Sequence, residues 1–303
     1  MINQSYPAIY VAKPEFIAEL CSELGETSDT KENLVFSPLI KSDVCFALDV
    51  WQNVQQVTIQ SISHAVKILR EQGKYWYLHP LSHVRRSRLI EEQLLKLPEL
   101  HFKSPLEKLI PNIGVFSLLD QNTMIFCNQR QKKWPDGKCF FIEDKINPPN
   151  RAYLKLWEAL TLLNKHPKTN DLVLDLGASP GGWTYVMQSL NTKVTAVDKA
   201  PLAENVMRLP GVSFLQQSAF ALDPFKLETT YDWVLSDIAC YPERAQELIL
   251  RWIQSNKAKQ LIFTIKLQGK TDLQILQNLK EIPNSRVMHL FYNKHEATFF
   301  HPF

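Results

Sequence analysis

Glycine is scarce in this chain, with 9 among 303 residues. Cysteine is scarcer still: Cys21, Cys45, Cys127, Cys139 and Cys240 are scattered, odd in number and never in C-x-x-C spacing. That pattern supports neither a zinc site nor a disulfide framework, and thiols in a reducing compartment are expected. No apolar run approaches the roughly 20 residues that span a bilayer. Met1 to Tyr10 lack a basic segment followed by an apolar core, so no signal peptide is expected, and the expected location is cytoplasmic. An excess of one charge is lacking too. Lys plus Arg number 34 against 31 Asp plus Glu, a net +3 that permits an anionic partner without requiring one. What is there is a globular composition, 45% hydrophobic and 21% charged, long enough for about two domains.

Three of the few glycines fall in one turn, Gly177-Ala178-Ser179-Pro180-Gly181-Gly182. Leu172 to Leu176 before it read as a short buried strand, apolar except for Asp175. Trp183 to Leu190 after it read as a helix, and Val194 to Val197 as a second strand ending at Asp198. A glycine turn between strand and helix brings backbone close to a nucleoside, and an acid closing the next strand sits near its ribose hydroxyls. An ordinary tight turn would account for the glycines alone; the strands, helix and acid in register point to a cofactor. The spacing G-x-x-x-G-G is not the G-x-G-x-x-G of a pyrophosphate site, and no phosphate-binding lysine follows. A nucleoside cofactor without phosphate, S-adenosyl-L-methionine, fits better.

Strands and helices alternate to the C-terminus. Val212 to Gln216, Tyr231 to Asp237, Gln260 to Leu267, Val287 to Tyr292 and Ala297 to Phe300 read as strands, and Pro242 to Ser255 and Thr271 to Glu281 as helices. This predicts an α/β doubly wound sheet, with a last strand that a short 293–296 loop forces to be antiparallel. Asn147-Pro148-Pro149-Asn150 marks a boundary, giving residues 1–147 and 148–303. The first part reads as α+β: a helix over 14–24, separate strands over 44–51 and 54–60, a helix from Ser61 capped at Gly73, and a hairpin around Asp120-Gln121-Asn122. Arg85, Arg86 and Arg88 form its densest basic cluster, with Lys132 and Lys133 in a later loop. These are either a solvated surface or a phosphate contact.

The motifs then resemble a family. N-R-A-Y-L-K-L at Asn150 to Leu156, D-L-G-A-S-P-G-G-W at Asp175 to Trp183, L-S-D at Leu235 to Asp237, I-K-L at Ile265 to Leu267 and E-A-T at Glu296 to Thr298 resemble the FtsJ-like RNA ribose 2′-O-methyltransferases. Within them, x-K-L-x-x-K at Ile265 to Lys270 resembles the bacterial subgroup acting on a cytidine of 23S ribosomal RNA. The resemblance implies a class I, Rossmann-like S-adenosylmethionine methyltransferase fold over 148–303. It implies an N-terminal region that is ferredoxin-like with a shortened THUMP-like part and contacts RNA. It carries the family's catalytic set onto Lys155, Asp237, Lys266 and Glu296. Cofactor binding is expected at Asp175, Gly177, Ser179, Pro180, Gly181, Gly182, Trp183, Asp198, Ser218 and Asp237. No metal is expected.

Chemistry explains these residue types. A sulfonium methyl is already electrophilic, so the enzyme mainly aligns an oxygen behind it. A lysine takes a hydroxyl proton only if it first becomes neutral, which a neighbouring cation or burial favours. Lys266 facing Lys155 is therefore expected to take or steer the ribose proton, with Asp237 orienting it. Two departures bear on cofactor affinity. Ser218 stands where many family members carry an acid, with Asp223 as a substitute, and Ile238-Ala239-Cys240-Tyr241 replaces M-A-P-N. They leave open an RNA-binding protein with a decayed cofactor site, or transfer to a hydroxyl outside RNA.

Overall fold

The computed structural model describes residues 2–25, 29–103, 110–163, 165–267 and 273–303. Lys270 and the first residues of the helix expected from Thr271 lie outside them. The chain divides into two compact units, the first reaching Phe140 and the second running Phe141–Phe303.

The first unit contains β1 (Ile2–Val11), α1 (Ile17–Leu24), β2 (Asp29–Lys31), β3 (Leu34–Ser37), β4 (Asp49–Thr58), α2 (Ile62–Gln72), β5 (Tyr75–Leu78), α3 (Val84–Glu91), β6 (Ile113–Leu118), β7 (Thr123–Cys127) and β8 (Gln129–Arg130). Their sheet runs β2-β3-β1-β4-β7-β6-β5, with β8 also on β4. All pairs are antiparallel except β5 with β6. Period-2 alternation sends Phe116, Met124 and Phe126 to one face, under α2 and α3, and Ile113, Val115 and Ile125 to the other. Ser61 caps α2 as expected, its Oγ accepting from the His64 amide at 3.1 Å. The hairpin also forms where expected, Asp120 accepting from the amides of Asn122 and Thr123 at 2.8 and 2.9 Å.

Two expectations change here. Pro14–Phe16 form a 3₁₀ turn, so the helix starts at Ile17. The two strands expected around residue 50 are one, β4. Trp51 and Val54 face the same core although three apart, and Asn53 between them is left-handed (φ 53). That break in alternation is what made one strand read as two.

The second unit contains α4 (Tyr153–Leu163), β9 (Leu172–Leu176), α5 (Gly182–Ser189), β10 (Lys193–Asp198), α6 (Glu204–Met207), β11 (Val212–Gln216), β12 (Tyr231–Ser236), α7 (Pro242–Ser255), β13 (Ala258–Lys266), α8 (Leu273–Lys280), β14 (Arg286–Met288) and β15 (Glu296–His301). The seven strands run β11-β10-β9-β12-β13-β15-β14. β9 to β13 pair parallel, and β15 is antiparallel to both neighbours, as the short loop required. Apolar runs such as Leu261–Phe263 bury both faces of this sheet. Chain order reverses between β9 and β12, which opens a crevice beyond their C-terminal ends. β14 is shorter than the strand expected over 287–292. Its continuation leaves the ladder: the Leu290 amide turns to Asn293 Oδ1 at 2.7 Å, and the Glu158 carboxylate takes the amides of Phe291 and Tyr292, at 2.8 and 2.9 Å.

Candidate active site

The glycine turn after β9 lines a cavity of about 460 Å³, together with Asp198, Lys199, Ser218, Phe220, Asp237, Ile238, Ala239 and Arg244. That is within the usual size for a small-molecule site. Gly177 (φ +75) is required twice over. Its conformation is left-handed, and a Cβ there would lie 2.9 Å from the Ile238 side chain. Asp198 fixes the turn from the next strand, Oδ2 accepting from the Ser179 amide at 2.9 Å and Oδ1 from Ala200 at 3.0 Å. A carboxylate has about four acceptor positions, so two remain for hydroxyls. Ser179 Oγ donates to the Pro201 carbonyl at 2.8 Å.

Other expected cofactor residues stand behind this lining. Asp175 is buried and accepts from Thr184 Oγ1 at 2.6 Å; burial, with repulsion from Asp237 and Asp198, pushes its carboxyl up to about 7. Trp183 is buried and donates to the Ala152 carbonyl at 2.9 Å. A Cβ on Gly181 would meet Val206 at 2.8 Å, and one on Gly182 would meet Asn150 Oδ1 at 2.2 Å, so these glycines let α5 approach its neighbours. Pro180 follows Ser179 in a cis peptide. Ser218 lines the cavity. Asp223 does not, because it accepts from the Phe225 amide at 3.2 Å and pairs with Arg251 at 3.1 Å.

Beside the cavity, Lys155, Asp237, Lys266 and Glu296 close into a ring of alternating charge. Lys155 Nζ lies 2.6 Å from Asp237 and 3.0 Å from Glu296. Lys266 Nζ lies 2.6 Å from Asp237 and also pairs with Glu296. Each position follows from the fold. Lys155 is in the first turn of α4, and Asp237 is one residue past β12. Lys266 and Glu296 are direct cross-strand partners of β13 and β15. Thr264 adds a bond to Asp237 Oδ1 at 2.7 Å. Two cations and two anions make the ring neutral, which offsets the desolvation each charge would otherwise suffer.

Burial alone would raise the Glu296 carboxyl, but Lys155 and Lys266 outweigh it and hold it at about 2. Burial likewise works against charge on Lys266, and Asp237 and Glu296 outweigh it, so its pKa is raised. The expectation that Lys155 would lower it is corrected: two carboxylates against the ammonium count for more than one cation across the ring.

Several residues that build this site escaped the sequence reading. Glu158, one turn after Lys155, is buried, and by holding the 291–292 amides it ties α4 to the turn before β15. Asn293 in that turn accepts from the Leu290 amide at 2.7 Å and from Thr298 Oγ1 at 3.0 Å, and its Nδ2 reaches Glu296 Oε1 at 3.4 Å. A lone acid inside L-K-L-W-E-A-L was the available signal. Phe220 and Arg244 carried none; they meet through the fold, the guanidinium 4.0 Å from the ring centre.

The basic cluster lies in the first unit. Arg85 is exposed, Arg86 half-buried, and Arg88 pairs with Glu91 at 2.6 Å. Arg85 and Arg86 flank a groove of about 440 Å³ with His83 and Gln121. Lys132 and Lys133 follow β8, whose Arg130 forms a buried pair with Asp49 at 2.8 Å; burial still pushes Asp49 up to about 6.

Residues 148–296 match the family described as FtsJ-like methyltransferase. Among curated relatives, a ribosomal RNA large subunit methyltransferase M from Halorhodospira halophila is 29% identical over 215 residues, 65% of this chain and 62% of the relative. One from Saccharophagus degradans is 37% identical over 140 residues, 44% and 39% of the two chains. One from Hahella chejuensis is 26% identical over 304 residues, 87% and 75% of the two. The first two of these alignments span less than two thirds of the relatives' own length.

Proposed function

We propose, from the premise that residues 148–296 form an FtsJ-like methyltransferase domain, that this chain methylates a ribose 2′-hydroxyl of RNA. The donor is S-adenosylmethionine, the substrate large-subunit (23S) ribosomal RNA and the compartment the cytoplasm. The observation that carries this reading is the closed ring of Lys155, Asp237, Lys266 and Glu296, which shares Asp237 with the cavity. The relatives' description as ribosomal RNA large subunit methyltransferases supports the substrate. A chain whose cofactor site had decayed would have no reason to keep four charges, their side chains 8–19% exposed, in mutual register.

The cavity fits the cofactor. It has a carboxylate at the strand end where ribose hydroxyls would lie, an apolar wall of Phe220, Ile238 and Ala239 for a purine, and a turn stripped of side chain at Gly177. Asp198 would hold the ribose, Ser218 the purine edge, and the 177–179 backbone the remaining polar groups. When bound, S-adenosylmethionine supplies an electrophilic methyl carbon. Lys155 and Lys266, each gripped by both carboxylates, would fix the attacking oxygen. Asp237 orients both lysines, and Glu296 balances their charge on the far side. Lys266 takes the hydroxyl proton in the fraction of molecules where its own has left. The first part of the chain, residues 1–147, is the RNA-contacting region, with Arg85, Arg86, Arg88, Lys132 and Lys133 toward phosphates; residues 148–303 are the catalytic domain.

Lys266→Ala tests the assignment. Transfer to RNA is expected to fall by about 10²–10⁴-fold, the usual contribution of a positioned acid or base. Calorimetric affinity for the cofactor is expected to stay near wild type. Loss of cofactor binding in that variant would reassign Lys266 to the cofactor.

A further inference from the structure

The ring of four charges can hold a hydroxyl oxygen, but one point of contact does not orient a nucleoside. A second anchor has to sit beside it, because alignment of the attacking oxygen requires the nucleoside's rotation to be fixed. The loop after β12 supplies one. Its first residues, Asp237 to Ala239, line the cavity. Arg244 lines it too, and its amide donates to the Tyr241 carbonyl at 3.1 Å, so residue 241 lies in a loop whose two ends both face the cavity and whose first residue, Asp237, belongs to the charged ring. Tyr241 comes next and exposes 63% of its surface, more than any other aromatic among the exposed large apolar residues. Among the described residues, its side chain has neither a ring partner nor a hydrogen bond.

The backbone beneath that exposed ring is fixed. The Tyr241 carbonyl accepts from the amides of Arg244 and Ala245, both at 3.1 Å, as the N-cap of α7. Pro242 follows, and a residue before proline is confined to extended conformations, here φ −65 and ψ 148. An exposed ring on a fixed backbone has only its own two side-chain torsions to order on binding, and every nucleobase has a face to lay on it.

We infer that Tyr241 is the stacking platform for an unpaired nucleobase of the RNA, a base subsite next to the charged ring that presents the ribose hydroxyl to Lys155 and Lys266. The inference rests on the function proposed above and adds to it that the target nucleotide is single-stranded or turned out of its helix when it reacts.

The experiment compares Tyr241→Ala, Tyr241→Phe and Phe225→Ala in steady-state transfer to an unmodified transcript of 23S ribosomal RNA, with cofactor affinity measured by calorimetry. Phe225 is a control, 56% exposed but beside the Asp223–Arg251 pair, whose arginine lies about 15 Å further along α7 than Tyr241 at 1.5 Å per residue. Tyr241→Ala is expected to raise KM for the RNA about tenfold, the worth of one modest base stack, with cofactor affinity unchanged. Tyr241→Phe and Phe225→Ala are expected to keep the wild-type KM. An unchanged KM in Tyr241→Ala overturns the subsite, and so does an equal rise in Tyr241→Phe, which would assign the hydroxyl rather than the ring. Wild-type protein that binds cofactor but methylates no RNA overturns the proposed function, and the subsite with it.

Discussion

Lys266 sits between two carboxylates that raise its pKa despite burial. At neutral pH its neutral form is therefore a minority. If the hydroxyl proton passes to Lys266, the reactive fraction grows about tenfold for each pH unit below that pKa. The transfer rate at saturating RNA and cofactor should accordingly keep climbing past pH 9; a plateau below pH 8 would assign the proton to another group. Glu296 sets the opposite limit. Its carboxyl is held at about 2, below the ordinary 4.5, so its contribution to stability is complete above about pH 4.5 and is lost as pH falls toward 2. The four charged residues were legible one at a time from their motifs. Their closure into a neutral ring was not, because it depends on the register that sets Lys266 opposite Glu296.

Among the elements, the turn after β9 was the most legible, since glycine content, flanking strands and the Asp198 strand end all report on the same backbone. What holds α4 to β15 was hidden. Glu158 reads as a helix-surface acid, yet it is buried and satisfies two amides more than 130 residues away in sequence. Glu158→Ala leaves those amides without an acceptor, at about 1–3 kcal/mol each. It should lower the Tm and, at temperatures where the variant is folded, reduce kcat more than it changes cofactor affinity. Glu158→Gln, which keeps one acceptor, should recover part of both. A variant that loses Tm but keeps wild-type kcat would make Glu158 purely structural. The end of β14 was missed for a related reason: the Val287–Tyr292 pattern is apolar enough for a strand, and the turn closed by Asn293 on Leu290, with the distant Glu158 carboxylate on the next two amides, shows why it stops.

Across the whole molecule, the parallel pairing in the second unit and its reversed last strand followed from alternation and loop length, both local properties, whereas the strand order depends on packing that no local pattern reports. The first unit was less legible, because its strands pair across long separations, as β1 does with β4 and β4 with β7. The RNA contact proposed for it can be tested through salt. Arg85→Ala with Arg86→Ala should weaken RNA binding and lower the slope of log affinity against log salt by about one for each phosphate that is no longer neutralised. An unchanged slope would leave those arginines as a solvated surface.

The central claim, transfer to a ribose oxygen, is tested most directly by the position of the methyl group. The purified protein is incubated with methyl-labelled S-adenosylmethionine and an unmodified 23S ribosomal RNA transcript, and the RNA is digested to nucleosides and resolved. The account predicts that the label is recovered in a 2′-O-methylated nucleoside and is lost with Lys266→Ala. Label on a base, or none on the RNA while the cofactor is bound, would contradict it.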